Sequence, residues 1–176
     1  MNDDDVIVLS FGLDRHRVGR AFFAEDDIGA IVRCHFETER AVDHALKKFT
    51  DGRFKSDGSR GFRNFGDKIE VLRLLGVGDN LLSPLRRHND HRNQFAHRGQ
   101  DELTVEQVSD LHRMINALIP DYGKMKFTFK GNRNFESLYS ELTLRQKYVA
   151  NMMALINLVA ALPEVAKRNK DNLKDS

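Results

Sequence analysis

Hydrophobic side chains recur at helical spacing through most of this chain. In the longest early segment, from about Phe22 to Phe49, apolar residues return every three or four positions. That spacing places them on one face of an α-helix. The predicted inward face consists of Ile28, Val32, His35, Glu39, Val42, Leu46 and Phe49. Its two polar members, His35 and Glu39, are interpreted as a hydrogen-bonded pair at the edge of the core.

Three further helices are predicted in the middle of the chain. They cover Asp67–Leu75, about Leu81–Arg98, and a segment that opens at Thr104 and stops at Pro120. Gly76 and Gly99 follow the first two of these helices and predict their ends, because glycine readily adopts the left-handed conformation that ends many helices. Thr104 and Gln107 have the spacing of a capping box, which predicts the start of the last one.

The last third of the chain contains one extended segment and one long helix. Residues 124–130 alternate apolar and polar side chains, which is typical of an extended arm or a hairpin edge, and no other segment of comparable strength offers to pair with them. The helix is predicted from about Asn134 to Leu162, with an apolar face of Phe135, Leu138, Leu142, Val149, Met152, Ile156 and Val159. Pro163 begins a predicted polar tail.

These elements predict an all-α fold, a bundle of about five helices in a single domain that spans residues 1–176. Residues 1–20 are assigned to an N-terminal arm, residues 163–176 to the tail, and the glycine-rich segment 51–61 to a loop. With 176 residues, the chain can bury one sizeable core.

Composition restricts the class of protein further. Hydrophobic residues make up 40% and charged residues 31%, and the formal net charge is only +2, so nucleic-acid binding would have to depend on a local cluster of charge. The single cysteine, Cys34, excludes an internal disulfide and a cysteine-rich zinc site. The start of the chain lacks the features of a secretory signal, and no apolar stretch reaches membrane-spanning length. We therefore expect a cytoplasmic protein without membrane contact.

A basic cluster stands out in the third predicted helix. Between Pro84 and Arg98 only one acid, Asp90, accompanies four arginines and three histidines, namely Arg86, Arg87, Arg92, Arg98, His88, His91 and His97. His88 and Arg92 share a stripe with Leu81, Leu85 and Phe95, where a bundle helix normally carries leucine. The stripe predicts a polar groove, completed by a second copy of the chain.

Arg92 and His97 are the candidate chemical groups of this cluster. An arginine that clamps a phosphate and a histidine that moves a proton meet the needs of RNA cleavage by the neighbouring 2′-hydroxyl, without a metal or cofactor. A metal held by His88 and His91 with His97 or Asp90 is disfavoured, since the surrounding arginines repel cations. Sequence-specific DNA reading is disfavoured too, because histidines on the inner stripe do not suit a recognition helix.

The segment Arg92-Asn93-Gln94-Phe95-Ala96-His97 resembles the R-x(4–6)-H motif of HEPN domains. The resemblance implies a helical bundle that dimerises and brings two motifs together. Active members are metal-independent endoribonucleases, often toxins or defence proteins, and many others are non-catalytic binding modules. In the catalytic case Arg92 would hold the scissile phosphate, His97 would be the general acid/base and Asn93 would orient it. Residues that would extend the RNA or partner surface are Arg86, Arg87, His88, His91 and Arg98.

A second resemblance covers roughly residues 25–162. Residues 65–77 (FGDKIEVLRLLGV) look like the "GD…RL…GLG" helix and turn of the mannitol operon repressor family, and residues 138–146 are similar to the start of that family's closing helix. It implies a helical regulator without an evident DNA-reading element. The leading expectation is therefore a regulatory or interaction protein of mannitol-repressor or HEPN type, acting through protein partners as a homodimer. The ribonuclease is the alternative, and a purely structural role for Arg92, Asn93 and His97 at a dimer contact or helix cap stays open.

Overall fold

The computed structural model describes residues 11–54, 64–129 and 134–172. Within these ranges the chain forms six α-helices and one two-stranded antiparallel hairpin: α1 (Arg15–Phe22), α2 (Asp27–Phe49), α3 (Phe65–Leu74), α4 (Asp79–His97), α5 (Val105–Leu118), β1 (Lys126–Phe129), β2 (Phe135–Leu138) and α6 (Leu144–Asn172). The predicted mostly helical architecture is confirmed, with one helix more than expected. The extended segment predicted at residues 124–130 contains β1, and its partner strand β2 was not predicted. Residues 1–10 and most of the predicted 51–61 loop lie outside the described residues.

The N-terminal region contains a helix where the sequence predicted an arm. The Asp14 carboxylate accepts a hydrogen bond from the backbone N–H of Arg17, which caps the start of α1. The Asp26 carboxylate likewise accepts a hydrogen bond from the backbone N–H of Gly29 and caps the start of α2. The helix predicted from about Phe22 to Phe49 is therefore α2, which begins five residues later because Asp26 caps its start, and α1 was not predicted.

The buried face of α2 is rotated relative to the predicted one. Ile28 and Val32 were predicted to point inward, but 43% and 57% of their surface is exposed. The residues that pack inward are mostly smaller: Ala30, Ile31, Cys34, Glu37, Thr38, Ala41, Val42, Ala45 and Leu46. Small side chains allow α2 to pack closely against α6, its main neighbour, and the pattern of large apolar residues did not reveal this.

The middle helices agree with their local sequence signals. Gly76 and Gly99 adopt positive φ values of 90° and 67°, and each directly follows the C-cap residue of its helix, α3 or α4. At α5 the Thr104 hydroxyl accepts from the N–H of Gln107, and the Gln107 side chain accepts from the N–H of Thr104, so the predicted capping box is confirmed.

The predicted long C-terminal helix was wrong at both ends. Residues 135–138 form β2 rather than helix, and Phe135 pairs with Phe129 of β1. Both phenylalanines pack on Phe22, with ring centroids 5.2 and 4.5 Å away, so apolar contact with α1 stabilises the hairpin. A reciprocal cap between Thr143 and Gln146 precedes α6. The helix then continues through Pro163 to Asn172, which replaces most of the predicted tail.

α6 is long and apolar enough, by length and composition, to cross a membrane between Leu144 and Arg168, contrary to the expectation from the sequence. In this fold it is instead the central helix of the core. Its fully or almost fully buried residues are Tyr148, Val149, Ala150, Asn151, Met152, Leu155, Ile156, Val159 and Ala160. Burial against α2 and α5 accounts for this apolar composition.

Candidate functional site

The three predicted catalytic residues lie in the last two turns of α4. Arg92 and Asn93 are partly buried, and the Arg92 Nη1 atom donates a hydrogen bond to the Asn93 Oδ1 atom at 3.0 Å. His97 is the exposed last residue of the helix. Five residues correspond to about 140° around a helix, so Arg92 and His97 leave it in different directions. No hydrogen bond joins the two within the described part of the protein.

His88 and His91 point into the protein rather than along an exposed groove. Their exposed fractions are 0% and 3%. The His88 Nδ1 atom lies 2.8 Å from the Tyr148 hydroxyl, and the His91 Nδ1 atom lies 3.4 Å from the same oxygen. One tyrosine of α6 therefore joins two histidines of α4. Of these two histidines, only His91 also reaches the wall of a surface cleft.

His35 of α2 extends this arrangement into a buried histidine cluster, defined here as His35, His88, His91 and Tyr148. The His35 ring centroid is 5.4 Å from that of His88 and 4.9 Å from that of Phe65. The expected bond between His35 and Glu39 does not form, because Glu39 instead accepts from Lys68 of α3 at 2.7 Å. Among the described residues the His35 Nδ1 and His88 Nε2 atoms have no hydrogen-bond partner.

Burial controls the protonation of the cluster. It lowers the pKa of His35 to about 4, and the nearby Arg92 guanidinium lowers it further in the same direction. Burial also lowers the pKa of His91 to about 4 and that of His88 well below its usual range. The three rings are therefore neutral at pH 7, and His88 and His91 meet the Tyr148 hydroxyl as neutral imidazoles.

Tyr148 is the residue of the cluster that sequence reasoning missed. Burial raises its pKa well above that of a free tyrosine, so the hydroxyl keeps its proton and remains a donor. It lies four residues after Leu144 and four before Met152, on one stripe of α6, which was a usable signal. A buried tyrosine needs a partner for its hydroxyl, and the histidines of α4 satisfy that need.

Other functional chemistries find little support in the described residues. Across the ranges 11–54, 64–129 and 134–172, no group of three His, Cys, Asp or Glu side chains could hold a metal ion. Cys34 is buried, and burial raises the pKa of its thiol to about 12, so it stays a protonated core residue.

The three predicted arginines of the binding surface differ in their surroundings. Arg86 forms ion pairs with Glu70 at 2.8 Å and with Asp79 at 3.1 Å. Arg87 pairs with an aspartate of α5 at 2.8 Å, and Arg98 is exposed directly after α4. Arg87 and Arg98 line the same cleft between α4 and α5 as His91, whereas Arg86 does not. The predicted surface is therefore divided between separate faces of α4.

The outer face of α2 carries an apolar ridge, defined here as Ile28, Val32 and Phe36. These residues follow one another at intervals of four and are 43%, 57% and 50% exposed. The guanidinium carbon of Arg17 lies 4.1 Å above the centre of the Phe36 ring. His35, which precedes Phe36, packs against His88 of α4 and lies near Arg92, so the side of α2 next to the ridge faces α4.

Comparison with protein-family models, curated proteins and solved structures found no match for this chain. The two family resemblances therefore remain predictions from sequence pattern.

Proposed function

We propose that this protein is a regulatory or interaction protein of mannitol-repressor or HEPN type, which acts as a homodimer through protein contacts. The observation that carries the proposal is the apolar ridge on α2. Three large apolar side chains aligned on one exposed helix face are typical of protein interfaces, because isolated surface hydrophobics rarely line up in this way.

The position of the ridge suits a symmetric contact. The other sides of α2 pack against α1, α3, α4 and α6, which leaves the ridge as the outward side. A two-fold axis through Val32 would place Ile28 of one protomer against Phe36 of its partner, since a symmetric dimer uses the same patch twice. Arg92 and Asn93 would then lie near the rim of the contact and could contribute polar bonds there.

The dimer is tested with two matched valine substitutions. We expect wild-type protein to have the mass of a dimer and Val32→Asp to have that of a monomer, because the dimer would otherwise bury an unpaired carboxylate. Val105→Asp is the control, since Val105 is 71% exposed at the start of α5 and does not belong to the ridge, and an acid at a helix N-terminus is favourable. Sedimentation velocity at one chain concentration measures the masses.

Circular dichroism of both variants would verify that the helices remain folded. A monomeric wild-type protein, or a Val32→Asp variant that stays dimeric, would contradict the proposed contact.

The alternative, a metal-independent endoribonuclease, is favoured by one specific observation. Asn93 holds the Arg92 guanidinium in place, and His97 is free of the protein interior at the end of the same helix. In a dimer through the ridge, Arg92 would act on a phosphate bound at the rim, and His97 would act as general acid/base there.

Cleavage of a mixed RNA substrate in EDTA tests this alternative. We expect His97→Ala to reduce the rate by about 10²- to 10⁴-fold, the usual contribution of a positioned acid/base group. His16→Ala is the matched control, because His16 is likewise exposed but belongs to α1. If wild-type protein does not cleave RNA, or if both variants lose the same activity, the assignment of His97 fails.

A further inference from the structure

Four residues of α4 form one stripe along the cleft between α4 and α5. Arg87, His91, Gln94 and Arg98 follow one another at intervals of four, three and four residues, and all four line the cleft. Eleven residues make three helical turns and about 16 Å, so Arg87 and Arg98 point the same way from opposite ends of the stripe. Positive charge therefore stands at both ends of the cleft rather than at one point.

One end of the cleft holds two arginines that share a single acid. The Asp110 Oδ2 atom lies 2.8 Å from Arg87 Nε, and its Oδ1 atom lies 2.6 Å from Arg113 Nη2. The two arginine side chains remain 46% and 72% exposed, and each guanidinium has five N–H donors. One carboxylate balances only one of the two positive charges. This end of the cleft can therefore take a second carboxylate, which would complete a group of two arginines and two acids.

The other end of the cleft has a single arginine. Arg98 is the exposed C-cap residue of α4, and it forms no ion pair with any residue that the structure describes. Glu106 of α5 is also exposed on the cleft wall, so three arginines oppose two carboxylates over the whole cleft. A chain with a negative charge on every residue would meet Glu106 and Asp110 as well as the arginines. The cleft is therefore better matched to a ligand with a few widely spaced acids.

A fixed amide lies on the stripe between the two charged ends. The Gln107 Nε2 atom donates to Gln94 Oε1 at 2.7 Å and to Gln100 Oε1 at 3.2 Å. These bonds hold the Gln94 side chain by its oxygen, and its NH₂ group has no hydrogen-bond partner among the described residues. Gln94 therefore offers a donor to a carbonyl oxygen that lies in the middle of the cleft.

We propose that this cleft binds an extended acidic segment of a partner protein, with two carboxylates four residues apart. In an extended chain such side chains lie on the same face and about 13 Å apart, a span close to that between Arg87 and Arg98. One carboxylate binds Arg98, the other binds Arg87 and Arg113, and the Gln94 amide donates to a backbone carbonyl between them. The apolar ridge on α2 does not line the cleft, so this partner is additional to the proposed dimer contact and does not depend on it.

Fluorescence anisotropy with a short labelled peptide tests this surface. The peptide consists of serine and threonine with two glutamates four positions apart, and the same peptide with glutamines is its matched control. We expect the glutamate peptide to bind about tenfold more tightly at low ionic strength and to lose this advantage in high salt.

Substitutions at the two ends of the cleft test the arginines. Arg98→Gln and Arg113→Gln should each weaken binding of the glutamate peptide about 3- to 10-fold, because each removes a partly exposed ion pair. Both side chains are exposed, so both variants should stay folded. Arg20→Gln is the control, since Arg20 is an exposed arginine on α1 and should leave the affinity unchanged within about twofold.

A charge exchange locates the peptide in the cleft. Arg98→Glu should abolish binding of the glutamate peptide, and replacement of one of its two glutamates by lysine should restore it, because opposite charges then face each other again. Failure of the glutamate peptide to bind, equal affinity for the glutamine peptide, or an unchanged affinity in Arg98→Gln would overturn the proposal. Tighter binding of a uridine oligonucleotide of similar length would overturn it in favour of a nucleic-acid surface. The dimer mass is not part of this readout, so a negative result leaves the proposal for the α2 ridge intact.

Discussion

Acidification from pH 6.5 to about 4 is expected to remove several kcal/mol from the free energy of unfolding, on the order of 3 kcal/mol for each of His35 and His91. The pKa of both residues is lowered in the folded protein, chiefly by burial. In this window the unfolded chain therefore binds protons that the folded chain does not, and stability falls as the pH falls. Above pH 6.5 both states are unprotonated at these sites and the contribution is constant.

The size of this effect is large relative to the stability of a typical domain, which is about 5–15 kcal/mol. His88 acts in the same direction, because burial also lowers its pKa. The charged groups around the rings alter each pKa less than burial does. Arg92 and Lys68 lower the pKa of His35 while Glu39 raises it, and Arg87 lowers the pKa of His91 while Asp90 and Asp110 raise it.

Urea unfolding at a series of pH values, at one chain concentration, measures this dependence. His91→Gln should reduce the slope of the free energy of unfolding against pH by about 1.4 kcal/mol per pH unit between pH 6 and 4.5, since one proton-binding group is lost. The glutamine can still bond to the Tyr148 hydroxyl. His16→Gln is the control, because His16 is exposed on α1. A stability that does not change between pH 7 and pH 4.5 would show that the histidines are not buried as neutral rings.

Leu72→Ala is expected to destabilise the protein by about 2–5 kcal/mol. Leu72 of α3 is completely buried and belongs to the core where α3 meets α2 and α4. Truncation of the side chain would leave a cavity that the neighbouring helices fill only in part. The Lys68 ammonium holds α3 in position through ion pairs of 2.7 and 2.8 Å to Glu39 and Asp43 of α2, so α3 has little freedom to close the gap.

The control for this substitution lies two residues further along the same helix. Leu74 is 74% exposed, and Leu74→Ala should change the free energy of unfolding by no more than about 0.5 kcal/mol. Thermal and chemical unfolding of the three proteins would measure both effects. Equal losses in the two variants would mean that the assigned buried face of α3 is incorrect.

Local signals were sufficient to predict the middle of the fold from the sequence. Gly76, Gly99 and the capping box of Thr104 and Gln107 act within one helical turn, so the ends of α3, α4 and α5 could be recognised without knowledge of the rest of the chain. The capping box of Thr143 and Gln146 is equally local and was overlooked, because the apolar pattern across Phe135 and Leu138 resembled a helix.

The candidate site was predictable only as a cluster of residue types. The sequence showed that Arg92, His97 and their basic neighbours lie on one helix, but a helical wheel does not tell which stripe meets another helix. The structure places His88 and His91 in the buried histidine cluster and Arg87 and Arg98 in the cleft with α5, whereas Arg92, Asn93 and His97 lie in the last two turns of α4 and do not line that cleft. This division follows from the contacts of α4 with its neighbouring helices.

The sequence by itself determined that the chain is mostly helical, where its central helices begin and end, and that basic groups concentrate on α4. These properties depend on backbone hydrogen bonds and periodicity over a few residues. Only the tertiary structure decided that Ile31 rather than Val32 is buried, and that the Tyr148 hydroxyl forms a hydrogen bond with His88, sixty residues away in the sequence. The reason is physical: burial and the satisfaction of polar groups depend on which surfaces meet, and those surfaces are distant in the sequence.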